Sequence, residues 1–210
     1  MILVVGGAGY IGSHVVKELI QTEQVIVYDN LSTGHREAVD EHAIFVQGDL
    51  MDEERLTQLF SLFPIDAVLH FAAASLVGES VRNPGHYYEN NVGATLNLLK
   101  VMRAHGVKKF IFSSTAATYQ PKEHGLLDEE SATCPANPYG RSKRMVEQIL
   151  EDYTTAYDFQ IAAVTEGQEA LGRTIVKLRN KGRIYAGLGL SANIIQSFCF
   201  FAKIHMTISF

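Results

Sequence analysis

A short apolar run, Ile2, Leu3, Val4 and Val5, breaks directly into Gly6-Gly7-Ala8-Gly9-Tyr10-Ile11-Gly12, and the apolar spacing that follows, Ile11, Val15, Val16 and Leu19, has a helical period. The pattern predicts a strand buried on both faces, a tight turn and a helix with no linker between them. Gly6, Gly9 and Gly12 lack Cβ atoms. They allow a sharp turn, close approach of a pyrophosphate and packing of helix on strand, while the helix N-terminus offers N–H groups to an anion. A second strand pattern, Val25-Ile26-Val27-Tyr28, ends in Asp29, about 20 residues beyond Gly9, where a carboxylate accepts from ribose hydroxyls and repels a 2′-phosphate. The pair predicts a seat for NAD rather than NADP.

Further strand and helix patterns alternate down the chain. Residues 43–47 form a short strand that runs into Gly48-Asp49-Leu50, and a helix follows with Asp52 as its N-cap and Leu56, Leu59 and Phe60 on one face. The strand Ala67-Val68-Leu69-His70-Phe71 leads into Ala72-Ala73-Ala74-Ser75, small residues that let a ligand lie close to the backbone. Residues 76–105 read as helix interrupted at Pro84 and contain the polar pair Asn90-Asn91. The strand Lys109-Phe110-Ile111-Phe112-Ser113-Ser114 delivers Thr115 to the same sheet edge, and a helix starts at Pro138 with Tyr139-Gly140-Arg141-Ser142-Lys143. This alternation predicts an α/β fold with a doubly wound parallel sheet.

Tyr139 and Lys143, four apart on a helix, share a face, and the ammonium lowers the pKa of a neighbouring phenol. Thr115, a hydroxyl at a strand end, can share the same substrate oxygen. The order of these parts resembles the extended short-chain dehydrogenase/reductases. Gly-Gly-Ala-Gly-Tyr-Ile-Gly-Ser-His (6–14), Tyr-Asp-Asn-Leu-Ser-Thr-Gly (28–34), Gly-Asp-Leu (48–50), His-Phe-Ala-Ala (70–73), Val-Gly-Glu-Ser-Val (77–81), Tyr-Tyr-Glu-Asn-Asn-Val (87–92), Phe-Ile-Phe-Ser-Ser (110–114) and Pro-Tyr-Gly-Arg-Ser-Lys (138–143) are similar to the UDP-glucose 4-epimerase family.

That resemblance implies an isomerase that interconverts UDP-glucose and UDP-galactose through a 4-keto sugar, with Tyr139 as base, Lys143 beside it and Thr115 on the 4′-oxygen. It places NAD contacts on Gly6, Gly9, Tyr10, Ile11 and Gly12, then on Asp29, Asn30, Leu31, Ser32, Thr33 and Gly34. Further contacts fall on Asp49, Leu50, Phe71, Ala72, Ala73, Ala74, Ser75, Asn90 and Lys143. Relatives that eliminate water carry Asp-Glu after the strand-end threonine. Here Ala116-Ala117 stands there, which favours epimerisation. Family members pair as homodimers through helices corresponding to 84–104 and 138–157. The alternatives left open are an idle NAD-binding remnant and another nucleotide-sugar oxidoreductase or decarboxylase.

The resemblance runs from residue 1 to 159, the expected dinucleotide-binding domain. Residues 160–210 are a divergent tail lacking the Tyr-Phe-Asn motif and the uridine-binding domain. Residues 1–169 hold all 23 acidic residues and 12 basic ones, whereas 170–210 hold six basic residues and no acid. Residues 160–164 have a weak strand pattern and 164–180 a weak helical one ending at Gly182, so strand 110–114 is expected to be left as an apolar edge. The uncharged stretch 184–202 is a poor membrane span because of its Gly, Ser, Asn and Gln content. Cys134 and Cys199 lack metal or disulfide spacing, and the eight histidines are scattered, so no metal is expected. With the first strand at the N-terminus there is no room for a signal peptide, and the basic tail has no interleaved aromatics. The expectation is a cytoplasmic protein that binds neither nucleic acid nor membrane.

Overall fold

The structure, a computed structural model, describes residues 1–121, 127, 131–166 and 175–177, with the backbone alone described for 165–166 and 175–177. Its centre is a seven-stranded sheet in the order β3-β2-β1-β4-β5-β6-β7. The strands are β1 (Ile2–Val5), β2 (Val25–Asp29), β3 (Ile44–Gln47), β4 (Ala67–His70), β5 (Lys109–Thr115), β6 (Gln160–Glu166) and β7 (Ile175–Lys177). The first six are parallel, and β7 returns antiparallel to β6. The helices are α1 (Tyr10–Leu19), α2 (Glu53–Leu62), α3 (Val77–Arg82), α4 (Pro84–Tyr87), α5 (Ala94–Ala104) and α6 (Pro138–Tyr157).

Strand residues alternate between the two faces of the sheet. Leu3, Val5, Ile26, Tyr28, Val68, Phe110 and Phe112 pack with Leu56, Leu98, Leu99, Val146 and Leu150 from α2, α5 and α6. Ile2, Val4, Val25, Val27, Leu69 and Ile111 pack with Val15, Val16 and Leu19 from α1. Burial on both faces explains why the central strands are continuous apolar runs rather than alternating ones. Asp52 caps α2 as expected, its Oδ1 accepting from Arg55 N at 2.9 Å.

Winding proceeds outward from β1 in both directions, so the crevice at the carboxyl ends of β1 and β4 is the topological switch point. There the two connections nearly touch. Gly6 has φ +78°, and a Cβ on it would overlap the Ala72 backbone N. Only glycine combines that left-handed conformation with that approach.

Two expectations need correction. Strand β5 is not an edge, because β6 pairs with it over seven residues, from Lys109↔Gln160 to Thr115↔Glu166, carrying the sheet past residue 159. The weak helix expected over 164–180 is overturned where the chain is described: 164–166 end β6, and 175–177 form β7. Pairing with an existing strand outweighs a faint helical period. The remainder of 167–210, including 184–202, lies outside the described residues. The helical stretch expected over 76–105 is present with its break at Pro84, and after it comes a π-helical segment, Tyr88–Gly93, which carries Asn90 and Asn91.

Candidate functional site

The glycine turn, the loops after β2, β3 and β4, the end of β5 and the first turns of α6 all meet at the carboxyl edge. Asp29, 9% exposed, accepts from Ala8 N at 2.9 Å with one oxygen and from Leu31 N at 2.8 Å with the other. Its carboxylate therefore ties the glycine turn to the following loop, where Leu31 adopts φ +60°. Ser32 N donates to Asn30 Oδ1 at 2.9 Å, and His35 N to Ala8 O at 3.0 Å, which closes the 29–34 loop over the turn. Thr33 is exposed and Gly34 half-buried. Asn30 Nδ2 reaches Asp49 Oδ2 at 2.8 Å, and Tyr28 OH donates to Asp49 O at 2.9 Å beside the buried Leu50. Burial and then the nearby Asp52 carboxylate push the Tyr28 phenol up to about 12, so it serves as a fixed donor.

The N-cap of α1 is Gly9, which brings no side chain to the helix start that Tyr10, Ile11 and Gly12 continue. The Cα of Gly9 faces open space apart from Gly6 O, which a Cβ would meet at 3.4 Å. A helix start with glycine at its N-cap, an open backbone at Gly9 and the Asp29 carboxylate form a donor and acceptor set that fits a dinucleotide.

On the other side of the crevice, Phe71 N bonds Val5 O at 2.8 Å, and the small residues Ala72, Ala73, Ala74 and Ser75 follow. Asn91, 3% exposed, holds this loop. Its Oδ1 accepts from Ala74 N at 2.8 Å and from Asn90 Nδ2 at 3.0 Å, while Nδ2 donates to Ala74 O and to Ser142 Oγ, each at 3.0 Å. Ser142 Oγ in turn donates to Tyr139 O at 2.7 Å. One amide thus joins the β4 loop, the π segment and α6.

Helix α6 is pinned to β5 by groups one turn apart. Lys143, 3% exposed, donates from Nζ to Ser113 O at 2.8 Å and sits 4.7 Å from the Phe112 ring centroid. Ser114 Oγ donates to the buried Glu147 Oε1 at 2.6 Å, and Arg144 pairs with Glu147 at 2.9 Å. Asn137 caps the helix by accepting from Gly140 N at 2.8 Å, and a Cβ at Gly140 would overlap Ala117 O. That close approach puts the turn after Thr115 against the first turn of α6, where the half-buried Tyr139 lies. Thr115 Oγ1 accepts from Ala117 N at 3.2 Å.

The sequence reading gave no role to Asn91, Tyr87, Ser142, Glu147 or the His70–Thr95 pair; His70, Tyr87, Asn91 and Ser142 fall in the motifs 70–73, 87–92 and 138–143, while Thr95 and Glu147 showed only as polar residues inside apolar helical patterns. His70, 2% exposed, packs against the rings of Phe110 and Phe112 at 5.9 Å from each centroid, and its Nε2 is 2.9 Å from Thr95 Oγ1. Because Thr95 gives its own proton to Asn91 O at 2.7 Å, the network assigns the imidazole proton to Nε2.

Burial, and then the Lys143 charge, push His70 down to about 3. It is neutral in the fold but charges in the unfolded chain below its ordinary 6.5. The unfolded state therefore binds the extra proton, and stability falls with pH, by about 2 kcal/mol between pH 7 and pH 5. Urea unfolding at the two pH values checks this. His70→Gln should remove that part of the loss, and an unchanged difference would contradict the assignment.

The doubly wound sheet, the glycine turn, the acidic residue ending β2 and the Tyr-x-x-x-Lys helix against β5 stand together in the arrangement that the sequence resemblance implied. The chain belongs to the NAD dependent epimerase/dehydratase family, whose profile matches residues 2–165. It is 48% identical over 164 residues to the UDP-glucose 4-epimerase of Lacticaseibacillus casei, a match covering 78% of this chain and 50% of that protein. To that of Halalkalibacterium halodurans it is 51% identical over 160 residues, covering 76% and 48%. The crystal structure of the Brucella ovis UDP-glucose 4-epimerase in complex with NAD superposes with a TM-score of 0.75 at 47% identity, covering 78% of this chain and 50% of that one. The chain spans about half the length of the curated relatives it matches. A second profile, the LeuA allosteric (dimerisation) domain, matches residues 144–199. Within that span 144–157 belong to α6 and 160–166 to β6 of the present sheet. Among the described residues no cluster of His, Cys, Asp or Glu could hold a metal ion, and no helix is long and apolar enough to cross a membrane.

Proposed function

We propose that this chain seats NAD at the carboxyl ends of β1, β2 and β4. Tyr139, Lys143 and Thr115 then carry the exchange at sugar C4 that interconverts UDP-glucose and UDP-galactose in the cytoplasm. The observation that carries this reading is Lys143. An ammonium 3% exposed, one helical turn from a half-buried tyrosine at the rim of a dinucleotide crevice, is costly to bury and is typical of a functional site. The identity of about half with UDP-glucose 4-epimerases supports the substrate class.

In this reading Asp29 holds the adenine-side ribose. The glycine-led start of α1 takes the pyrophosphate, and Asn90, Phe71 and the 72–75 loop line the remainder. NAD, when bound, supplies the hydride acceptor and donor at C4. Tyr139 as phenolate accepts the proton of the 4′-hydroxyl and returns it to the same oxygen after the sugar has turned. Thr115 donates to that oxygen, and Lys143 favours the phenolate and binds the nicotinamide ribose.

Incubation of the purified chain with NAD and UDP-galactose tests the proposal. UDP-glucose as product supports it, while product of altered mass would indicate an oxidoreductase or decarboxylase instead. A second reading, an NAD-binding module without turnover, is favoured by the matched span, since remote binding energy normally supports the chemical step. Retained NAD with no interconversion would select it. The first reading includes a homodimer through 84–104 and 138–157, where Leu96 is 39% and Met145 44% exposed.

A further inference from the structure

Tyr87 has no part in the proposed exchange, yet its ring meets that of Tyr139. It is fully buried, at 0% exposed, although it closes a helix of only four residues. Its ring meets that of Tyr139 edge-on, with centroids 6.5 Å apart and planes at 80°. This is the favoured arrangement for two aromatic quadrupoles. The Tyr87 hydroxyl lies 2.7 Å from Leu76 O and 3.1 Å from Glu79 Oε2, so it is tied to the residue that follows the 71–75 loop and to the first turn of α3. Burial, then the Glu79 carboxylate, raise the Tyr87 phenol, and Tyr139 adds to this.

We infer that Tyr87 is a positioning residue for the reactive phenol: its ring sets the plane of Tyr139 on the Lys143 face of α6, while its hydroxyl fixes the exit of the cofactor loop to the same point. The inference deepens the proposed function and rests on that reading for the role of Tyr139. Two phenols stand side by side in different surroundings. Tyr87 faces Glu79 and a backbone carbonyl and stays protonated, whereas Tyr139 shares its helix face with a lysine. Environments that separate two neighbouring titratable groups in this way mark which of them is to ionise. The edge-on contact also stops Tyr139 from swinging off its helix face, a small displacement that costs an oriented base much of its rate.

The test is a pH titration of the phenolate absorbance of the full chain, with Tyr139→Phe subtracted to isolate Tyr139; it needs neither sugar nor turnover. The wild-type midpoint is expected below the ordinary phenol value of about 10. Tyr87→Phe keeps the ring and should leave the midpoint in place. Tyr87→Leu removes the ring edge and should raise it by about one unit, as Tyr139 moves away from Lys143. Thermal unfolding shows whether each variant is folded, and Tyr87→Met, whose flexible side chain fills the ring's volume, gives the reading if the leucine variant does not fold. With UDP-galactose and NAD, kcat should fall about tenfold in Tyr87→Leu with KM unchanged, and Tyr87→Phe should restore it. A folded Tyr87→Leu or Tyr87→Met variant that titrates like wild type, or a wild-type midpoint at the ordinary value, overturns the inference. A chain that shows these midpoints but no turnover instead defeats the proposed epimerase function and leaves the positioning role standing.

Discussion

Tyr139→Phe is expected to lower the rate of UDP-galactose interconversion by about 10²- to 10⁴-fold while leaving NAD affinity within about threefold of wild type. The substitution removes one hydroxyl from a half-buried ring at the mouth of the crevice. The contacts that build the cofactor side remain: Asp29 to Ala8, Asn91 to Ala74 and Lys143 to Ser113. Its edge-on contact with Tyr87 needs only the ring. Loss confined to kcat therefore separates proton transfer from binding. A variant that keeps wild-type turnover would remove Tyr139 from the chemistry, and one that loses NAD would show the hydroxyl to be structural.

Gly6→Ala should act on the fold itself. The residue sits at φ +78°, and an added methyl would overlap both the backbone N and the Cα of Ala72. Backbone on both sides is fixed, by Gly6 N to Tyr28 O at 2.9 Å and by Phe71 N to Val5 O at 2.8 Å, so neither can give way cheaply. The left-handed conformation costs about 1 kcal/mol for a residue with a Cβ, and separating β1 from the β4 loop adds more. A loss of about 3 kcal/mol or more in urea unfolding is expected, together with loss of NAD binding. A variant of wild-type stability would mean that the two connections do not meet as described.

The parts of this architecture that repeat along the chain were legible before the structure. Buried parallel strands announce themselves as apolar runs such as 2–5 and 67–71, and the glycine turn, Asp29, Thr115, Tyr139 and Lys143 carry fixed spacings that a local pattern can hold. What escaped depends on pairing across the sheet. Gln160–Glu166 has a weak strand pattern because five of its seven residues are Ala, Gln or polar, yet β5 supplies seven registered partners for it. Ile175–Lys177 is too short to signal a strand and exists through its pairing with Ala163, Val164 and Thr165. Asn91 and Tyr87 stood out only as members of a polar pair and of the 87–92 motif, with no role attached. Their importance comes from the π-helical segment and the short helix before it, which aim one amide at Ala74 and Ser142 and one ring at Tyr139. No local spacing encodes those distant partners.

Titration calorimetry of NAD into the purified 210-residue chain tests the central claim most directly. The claim is that the glycine turn and the Asp29 carboxylate form a complete dinucleotide seat beside Tyr139. One NAD per chain is predicted, with NADP at least about tenfold weaker because its 2′-phosphate meets Asp29, and with Asp29→Ala weakening NAD and narrowing that preference. Absence of NAD binding by the folded chain, or equal affinity for the two dinucleotides, would contradict it.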